Sequence, residues 1–297
     1  MKLAPIVLFT YKRIDTLQQT VKALANNYLA SQSDLIIYSD GAKSQKEEII
    51  IEAIRSYLKT ITGFKSVYIN ESKTNKGLAT SIINGVTEVM AEYHKAIVLE
   101  DDLISSTNFL DYMNQALDFY QYNPQILSIS GYSPIIKGLA KNEVYYTQRA
   151  SSWGWACWED RWNKIDWLSH SYKDFKTDSQ AKSRFNKMGS DMCLMMKRQM
   201  QGTINSWAIR FCFHQFENDF FSVHPSLSKV QNIGFAEKNA TNTVQKYNRF
   251  QSEFDVTDNL VFNFDSEVKL SEELVRQFIR DNSIKMRLLN KLLNFIQ

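Results

Sequence analysis

The chain has little of what builds covalent or metal frameworks. Its 297 residues include three cysteines, Cys157, Cys193 and Cys212, widely separated and outside any C-x-x-C arrangement. That number and spacing argue against a disulfide framework and a zinc site, and fit a reducing compartment. The four histidines, His94, His170, His214 and His224, form no H-x-H or H-x-x-x-H pair, which argues against a histidine metal cage. G-x-G-x-x-G, a Walker loop and a G-x-S-x-G elbow are all missing, and with them the commoner dinucleotide, kinase-like and hydrolase readings. No Pro- or Gly-rich linker marks a second domain. The N-terminal MKLAPIVLFTYKR carries an apolar run too short to span a membrane and no small-residue cleavage site, so it reads as the first core strand of a cytoplasmic protein. Neither sign of charge dominates: 35 basic against 32 acidic residues, net +3, give no basic groove for nucleic acid, and any anion site must be local.

What is present is ample core material, 44% hydrophobic and 13% aromatic, in an alternating pattern. Ala4 to Thr10 is a short apolar run, after which Ile14, Leu17, Val21 and Leu24 recur at helical spacing. The same unit repeats with Leu35 to Ser39, then with Ser66 to Ile69 and a helix from near Gly77. It repeats again with Ala96 to Leu99 and a helix over about Asn108 to Tyr120, with Ser105, Ser106 or Thr107 as candidate N-cap, and a fifth strand is expected at Ile126 to Ser130. Strands alternating with helices of this length predict an α/β fold, a mostly parallel sheet with helices on both faces and a ligand site beyond the carboxyl ends of the strands.

Those strand ends are polar. Glu100-Asp101-Asp102 closes the fourth strand, and three adjacent carboxylates repel one another unless a cation offsets them. Mg²⁺ or Mn²⁺ suits such oxygen ligands and commonly shares them with substrate phosphates. The plainer reading is a solvated acidic turn ahead of a helix. The earlier strands end in Thr10 to Arg13, Asp40-Gly41 and Asn75-Lys76-Gly77. Arg13 suits a phosphate or base carbonyl and Asp40 a uracil N–H or ribose hydroxyl, although each alone is more often a cap, turn or surface residue.

Together FTYKR, YSDGA, NKGLATSIINGV and VLEDDL, in that order over residues 4 to 120, resemble the GT-A glycosyltransferases. EDD followed by a helix and a Gly-Trp segment is similar to N-acetylglucosaminyltransferase I and bacterial family 2-like enzymes, and SSWGWACWEDRW with SWAIR extends the resemblance to about residue 235. It implies a Rossmann-like catalytic domain over 1–235, with a nucleotide-sugar half (1–132) and an acceptor half (133–235), and a C-terminal extension over 236–297. It implies that Asp102 ligates Mn²⁺ (or Mg²⁺), that Asp101 and Glu100 contact the ribose and donor sugar, and that Arg13 and Asp40 hold uridine, with Thr10, Asn75 and Lys76 completing the donor site. The Ser151 to Trp155 loop, with Trp153 and Trp155, would line the sugar and acceptor pocket, and Arg149 would contact diphosphate or acceptor.

The implied reaction moves a sugar from a UDP-sugar to a saccharide or lipid-linked saccharide with inversion, which needs a carboxylate base. Here the chain departs from the family, which carries an Asp where Asn205-Ser206-Trp207 stands. Glu159, Asp160 and Asp191 are the candidates for that base, Asp160 and Asp191 foremost. For Trp158 and Trp162, four apart on an expected helix, core packing is the reading. His224, after a strand-like run, reads as structural, with metal ligation as the alternative. In the tail, Ile284, Leu288, Leu292 and Phe295 share one helical face apart from Lys285, Arg287 and Lys291. Core docking is the default for that face, and peripheral contact with an anionic membrane is the alternative. A nucleotide-sugar pyrophosphorylase would need a G-x-G-T-R-like loop after strand one, which FTYKR is not. A binding-only relative of a transferase stays open because of Asn205.

Overall fold

The computed structural model describes residues 2–236 and 249–296. Strands β1 (Ile6–Thr10), β2 (Asp34–Ser39), β3 (Ser66–Glu71), β4 (Lys95–Glu100), β5 (Leu103–Ser105) and β6 (Ile126–Ser130) are joined by helices α1 (Ile14–Ala25), α2 (Gln45–Leu58), α3 (Leu78–Tyr93) and α4 (Phe109–Phe119). The second half adds β7 (Val144–Thr147), β8 (Trp155–Trp158), α5 (Glu159–Trp162), α6 (Tyr172–Phe175), α7 (Ser179–Asn186), α8 (Met192–Met200) and α9 (Trp207–Glu217). It continues through β9 (Phe221–Pro225), β10 (Val230–Asn232), α10 (Glu272–Ile279) and α11 (Ile284–Ile296).

Eight strands form one sheet in the order β3-β2-β1-β4-β8-β6-β9-β7. The first four named are mutually parallel, each reached through a crossover helix, as the alternating apolar pattern predicts. Strand β8 enters antiparallel between β4 and β6, β9 lies parallel to β6, and β7 closes the far edge antiparallel. The expected class, a mostly parallel α/β sheet of Rossmann-like order covered on both faces, is thus observed.

Along the central strands buried side chains turn alternately to the two faces of the sheet. Ile6, Leu8, Leu35, Ile37, Ile97 and Leu99 face Leu17, Leu24, Ile54 and the α4 residues Leu110, Met113 and Leu117. Val7, Phe9, Ile36 and Val98 face the opposite way, onto Ile82, Val86 and Met90 of α3 and Phe211 of α9. Helix α4 begins at Phe109 with Asn108 at its N-cap, not at Ser105 to Thr107 as expected, and the cap bond comes from elsewhere, the Leu110 amide donating to Asn27 Oδ1 at 3.0 Å. Asn108 is instead turned inward, its Nδ2 donating to Asp255 Oδ2 at 3.0 Å and the Asn259 carbonyl at 2.9 Å.

One local expectation is corrected. Trp158 and Trp162 do not share a helix: Trp158 ends β8, opposite Lys95 of β4, and α5 starts at Glu159. Ladder hydrogen bonds to β4 and β6 outweigh the weak helical preference of a four-residue stretch. Both rings are buried all the same, and Trp162 stacks on Trp155 with centroids 5.5 Å apart.

The segment before α10 straps across α4. Phe262 meets Tyr112 edge-on at 5.3 Å, and bridges link Ser228 to Phe254 and Glu143 to Asn263. Helix α10 packs Phe278 against His224 at 4.5 Å. The Phe295 side chain lies outside those described. Among the described residues no helix is long and apolar enough to cross a membrane.

Candidate functional site

Strand β1 has β2 on one side and β4 on the other, so the crossovers leaving β1 diverge and open a crevice at its carboxyl end, the usual ligand position in such sheets. The registers set the strand ends nearly level: Thr10 lies opposite Ser39, Ser39 opposite Glu71, and Phe9 opposite Glu100. A cleft of about 660 Å³ opens there, lined by Thr10, Arg13, Asp40, Asn75 and Glu100 to Asp102 on one side and by Trp153, Asn205 and Gly234 among others on the second.

Arg13 is the cation that holds the triplet together. Its Nη2 donates to Asp101 Oδ1 and its Nη1 to Asp102 Oδ2 at 2.8 Å. Asp101 Oδ2 also accepts from Thr10 Oγ1 at 3.0 Å and the Tyr11 amide at 3.1 Å. Burial works against the Arg13 charge, but the two carboxylates outweigh it and raise its pKa. Burial pushes the Glu100 carboxyl up to about 8, helped by the charges on Asp102 and Asp101 and opposed by Arg13. Asp102 is raised too, by burial and by Asp101, against the pull of Arg13.

Asp40 turns out to be a loop clamp. Its Oδ1 accepts from the amides of Gly41 at 2.9 Å and Lys76 at 2.8 Å, and its Oδ2 from the Gly77 amide at 2.9 Å. Asn75 Nδ2 adds a bond to the Gly41 carbonyl at 2.9 Å. The loops after β2 and β3 are therefore one unit. A Cβ on Gly41 would come within 2.5 Å of the Thr74 carbonyl carbon, which explains the glycine. The Lys76 side chain is exposed and does not line the cleft, so only its backbone takes part.

The second half of the chain is brought to the same edge because β8 runs antiparallel. Val98 near the end of β4 lies opposite Trp155 at the start of β8, so Trp153 reaches the cleft while Trp155 is buried beneath it, stacked on Trp207 at 4.8 Å. The expected acceptor contact at Trp155 is thus corrected to a core role, since the inward face of a central strand cannot reach ligand. Glu159 and Asp160 follow the other end of β8, across from Lys95. Five residues of β4, Lys95 to Leu99, separate them from the triplet, roughly 17 Å at strand rise, so neither can serve as base there.

Arg149 and Asp191, expected to act separately on substrate, bind each other: Nη1 to Oδ1 at 2.8 Å and Nη2 to Oδ2 at 3.0 Å. Neither lines the cleft. Burial alone would raise the Asp191 pKa, but Arg149 outweighs it and holds the carboxyl below its usual value. A carboxylate so held is a weak base. Asn205 and Ser206 do line the cleft, but Asn205 Oδ1 accepts from Arg210 at 3.0 Å and Ser206 caps α9 through the Ile209 amide. His224 is fully buried, with Nδ1 facing the Tyr132 carbonyl at 2.9 Å and Nε2 facing Thr147 Oγ1 at 3.1 Å, and burial lowers its pKa to about 4. Both ring nitrogens are engaged, so its role is structural.

Sequence reading missed the lid over Asp102. Strand β10 pairs with β5 directly after the triplet, and the Ile233 amide donates to the Asp102 carbonyl at 2.9 Å. Gly234 then lies so close that a Cβ there would stand 2.2 Å from Asp102 Oδ2 and 2.8 Å from Arg13 Nη1. No motif surrounds Gly234, so nothing local could have flagged it. Lys43 was also missed, and Tyr11 and Lys12, inside the Thr10 to Arg13 strand end, had no role of their own; both bond Glu47, and burial with Glu47 raises the Tyr11 pKa to about 12. Basic residues clustered after strand ends were the available signal.

The donor set fits a hard divalent cation. It is all oxygen, its charge is balanced by a cation in the form of Arg13, whose Nη1 stands 2.8 Å from Asp102 Oδ2, and Gly234 adds no side chain of its own there. Among the described residues no group of three or more His, Cys, Asp or Glu side chains is placed to hold a metal ion, so an ion at Asp102 would take most of its ligands from substrate and water.

No family model and no curated protein sequence matches the chain. Among solved structures it is similar to a mannosyltransferase, PcManGT from Pyrobaculum calidifontis, in complex with GDP-Man and Mn²⁺, at 9% identity over 57% of this chain and 47% of that one, with a TM-score of 0.37. It is also similar to TarS of S. aureus, at 14% identity over 56% of this chain and 30% of that one, with a TM-score of 0.38. The match spans less than half of either structure, and these values assign this chain no activity.

Proposed function

We propose that the chain transfers a sugar from a nucleotide sugar, taken to be a UDP-sugar, to a saccharide or lipid-linked saccharide hydroxyl, with Mn²⁺ or Mg²⁺ held at Asp102. The observation that carries this reading is the Glu100-Asp101-Asp102 and Arg13 cluster at the sheet's switch point, with Asp101 and Asp102 buried, opening on a cleft of about 660 Å³. That volume suits a nucleoside diphosphate sugar. The ion, when bound, stabilises negative charge on the departing diphosphate. Arg13 supplies a fixed positive charge beside it, Thr10 and Asn75 offer hydrogen bonds, and Asp40 shapes the loop around Gly77 that faces the nucleotide. Trp153 offers an apolar wall to the sugar side. Inversion is the expected course, carried over from the GT-A resemblance.

The second reading is a relative that binds a nucleotide sugar without turning it over. It is favoured by the cleft's carboxylates, which among the described residues are Asp40, Glu100, Asp101 and Asp102, all on the nucleotide side. Calorimetric titration of UDP and GDP, with Mn²⁺ and with EDTA, followed by product analysis with saccharide acceptors, separates the readings. Metal-supported UDP binding with transfer supports the first, and binding without transfer the second. No binding of either nucleotide removes both. Gly234→Ala should weaken Mn²⁺-supported UDP binding by about tenfold, because the new Cβ displaces Asp102 Oδ2; unchanged affinity in the same titration would show that Asp102 is not the anchor.

A further inference from the structure

Helix α11 is packed inside out. Its face toward the protein carries Arg287, Asn290 and Asn294 with Met286 and Leu293: Asn290 is buried, and Arg287 donates to Ser190 Oγ at 3.3 Å. Its outward face carries Ile284, Leu288 and Leu292, one helical turn apart, with Leu289 beside them. These four are 64%, 61%, 54% and 38% exposed. Helix α4 shows the ordinary arrangement, with Leu110, Met113 and Leu117 all turned inward. Core docking, the default for the tail's apolar stripe, is therefore not what the stripe does.

We infer that this outward face seats α11 on an anionic lipid surface. Exposed Lys285 and Lys291 border the apolar stripe, and residues 283–297 contain Lys285, Arg287 and Lys291 but no Asp or Glu. An aliphatic stripe between lysines matches the acyl and headgroup layers of an anionic bilayer. A second copy fits less well, since a two-fold pairing through the same face sets like charges against one another. The helix is also tied to the acceptor half: Ser190 Oγ, besides accepting from Arg287, donates to the Asn282 carbonyl at 2.7 Å, and it stands just before α8, whose Met195 lines the cleft. A membrane held by α11 thus lies on the side where an acceptor enters.

The test is cosedimentation of the full chain with phosphatidylcholine vesicles containing or lacking phosphatidylglycerol, at low and high salt. The expected result is binding that needs phosphatidylglycerol, weakens with salt, and falls roughly tenfold in Leu288→Glu/Leu292→Glu. The same loss is expected in Lys285→Glu/Lys291→Glu, with circular dichroism melts confirming that both variants fold. Equal binding by wild type and variants overturns the inference. So does a chain that ignores vesicles and sediments as a dimer dissolved by Leu288→Glu, which would assign the stripe to a second copy. Neither readout needs a donor sugar, so failure of the transferase reading leaves this test intact.

Discussion

Asp102→Asn is expected to lower Mn²⁺-supported turnover of a UDP-sugar by about 10²- to 10³-fold without lowering the thermal stability of the metal-free protein. The two halves of that result have separate causes. Asparagine keeps the shape and one acceptor oxygen but removes the charge that a divalent ion needs. Stability is spared because Asp102 is only 8% exposed and burial raises its pKa, so the folded protein carries that charge at a cost. Arg13 also retains Asp101 as partner. A melt and a progress curve on the same preparation check both halves. Activity insensitive to the substitution and to EDTA would sink the metal assignment; a lowered melting temperature would show that the triplet is structural.

The second large effect is on stability and lies outside the cleft. Lys229 and Asp255 form an ion pair with side chains only 2% and 1% exposed. Burial alone would raise the Asp255 pKa, but Lys229, Thr257 and Asn108 donate to it and hold it below its usual value. Asp255→Ala strands the ammonium among Tyr112 and Phe262 and should cost about 3–5 kcal/mol at neutral pH. The pH dependence follows from the sign of the shift: a carboxylate with a lowered folded pKa stabilises fully above its unfolded value, near 4, and loses that contribution as pH falls through the folded one. Urea unfolding should therefore show a deficit at pH 7 that shrinks below about pH 4. The isosteric pair Lys229→Met/Asp255→Leu should recover most of the loss. A deficit that does not change with pH would mean that packing, not charge, is what Asp255 supplies.

This pair also bears on the cleft. The Lys229 amide donates to the Gly131 carbonyl at 2.7 Å and its carbonyl accepts from Ser106 at 2.9 Å, which sets β10 beside β5 and Gly234 over Asp102. Asp255 thus supports the nucleotide side from a segment outside the named helices and strands. The 254–265 strap forms no helix or extended strand, although Phe262 and Phe264 alternate with Asn263 and Asp265, and its worth comes from contacts with α4 and Asn108 before it.

By itself the sequence determined the four β-α units, the class of the sheet and the strand-end position of Thr10, Arg13, Asp40, Asn75 and Glu100 to Asp102. These are local matters, written in apolar periods and in the turn residues that follow each strand. Only the tertiary structure decided which charges meet. Arg13 reaches Asp102 across 89 positions, Arg149 takes Asp191 across 42, and Asn108 takes Asp255 across 147. It alone reversed β8, so that Trp153 faces the cleft while Trp155 is buried and Asp160 is sent to the far edge. It alone turned the apolar stripe of α11 outward. A periodic stripe says that a face is apolar, and a carboxylate that it wants a partner; which partner it finds depends on chain closure over distances that no local pattern records.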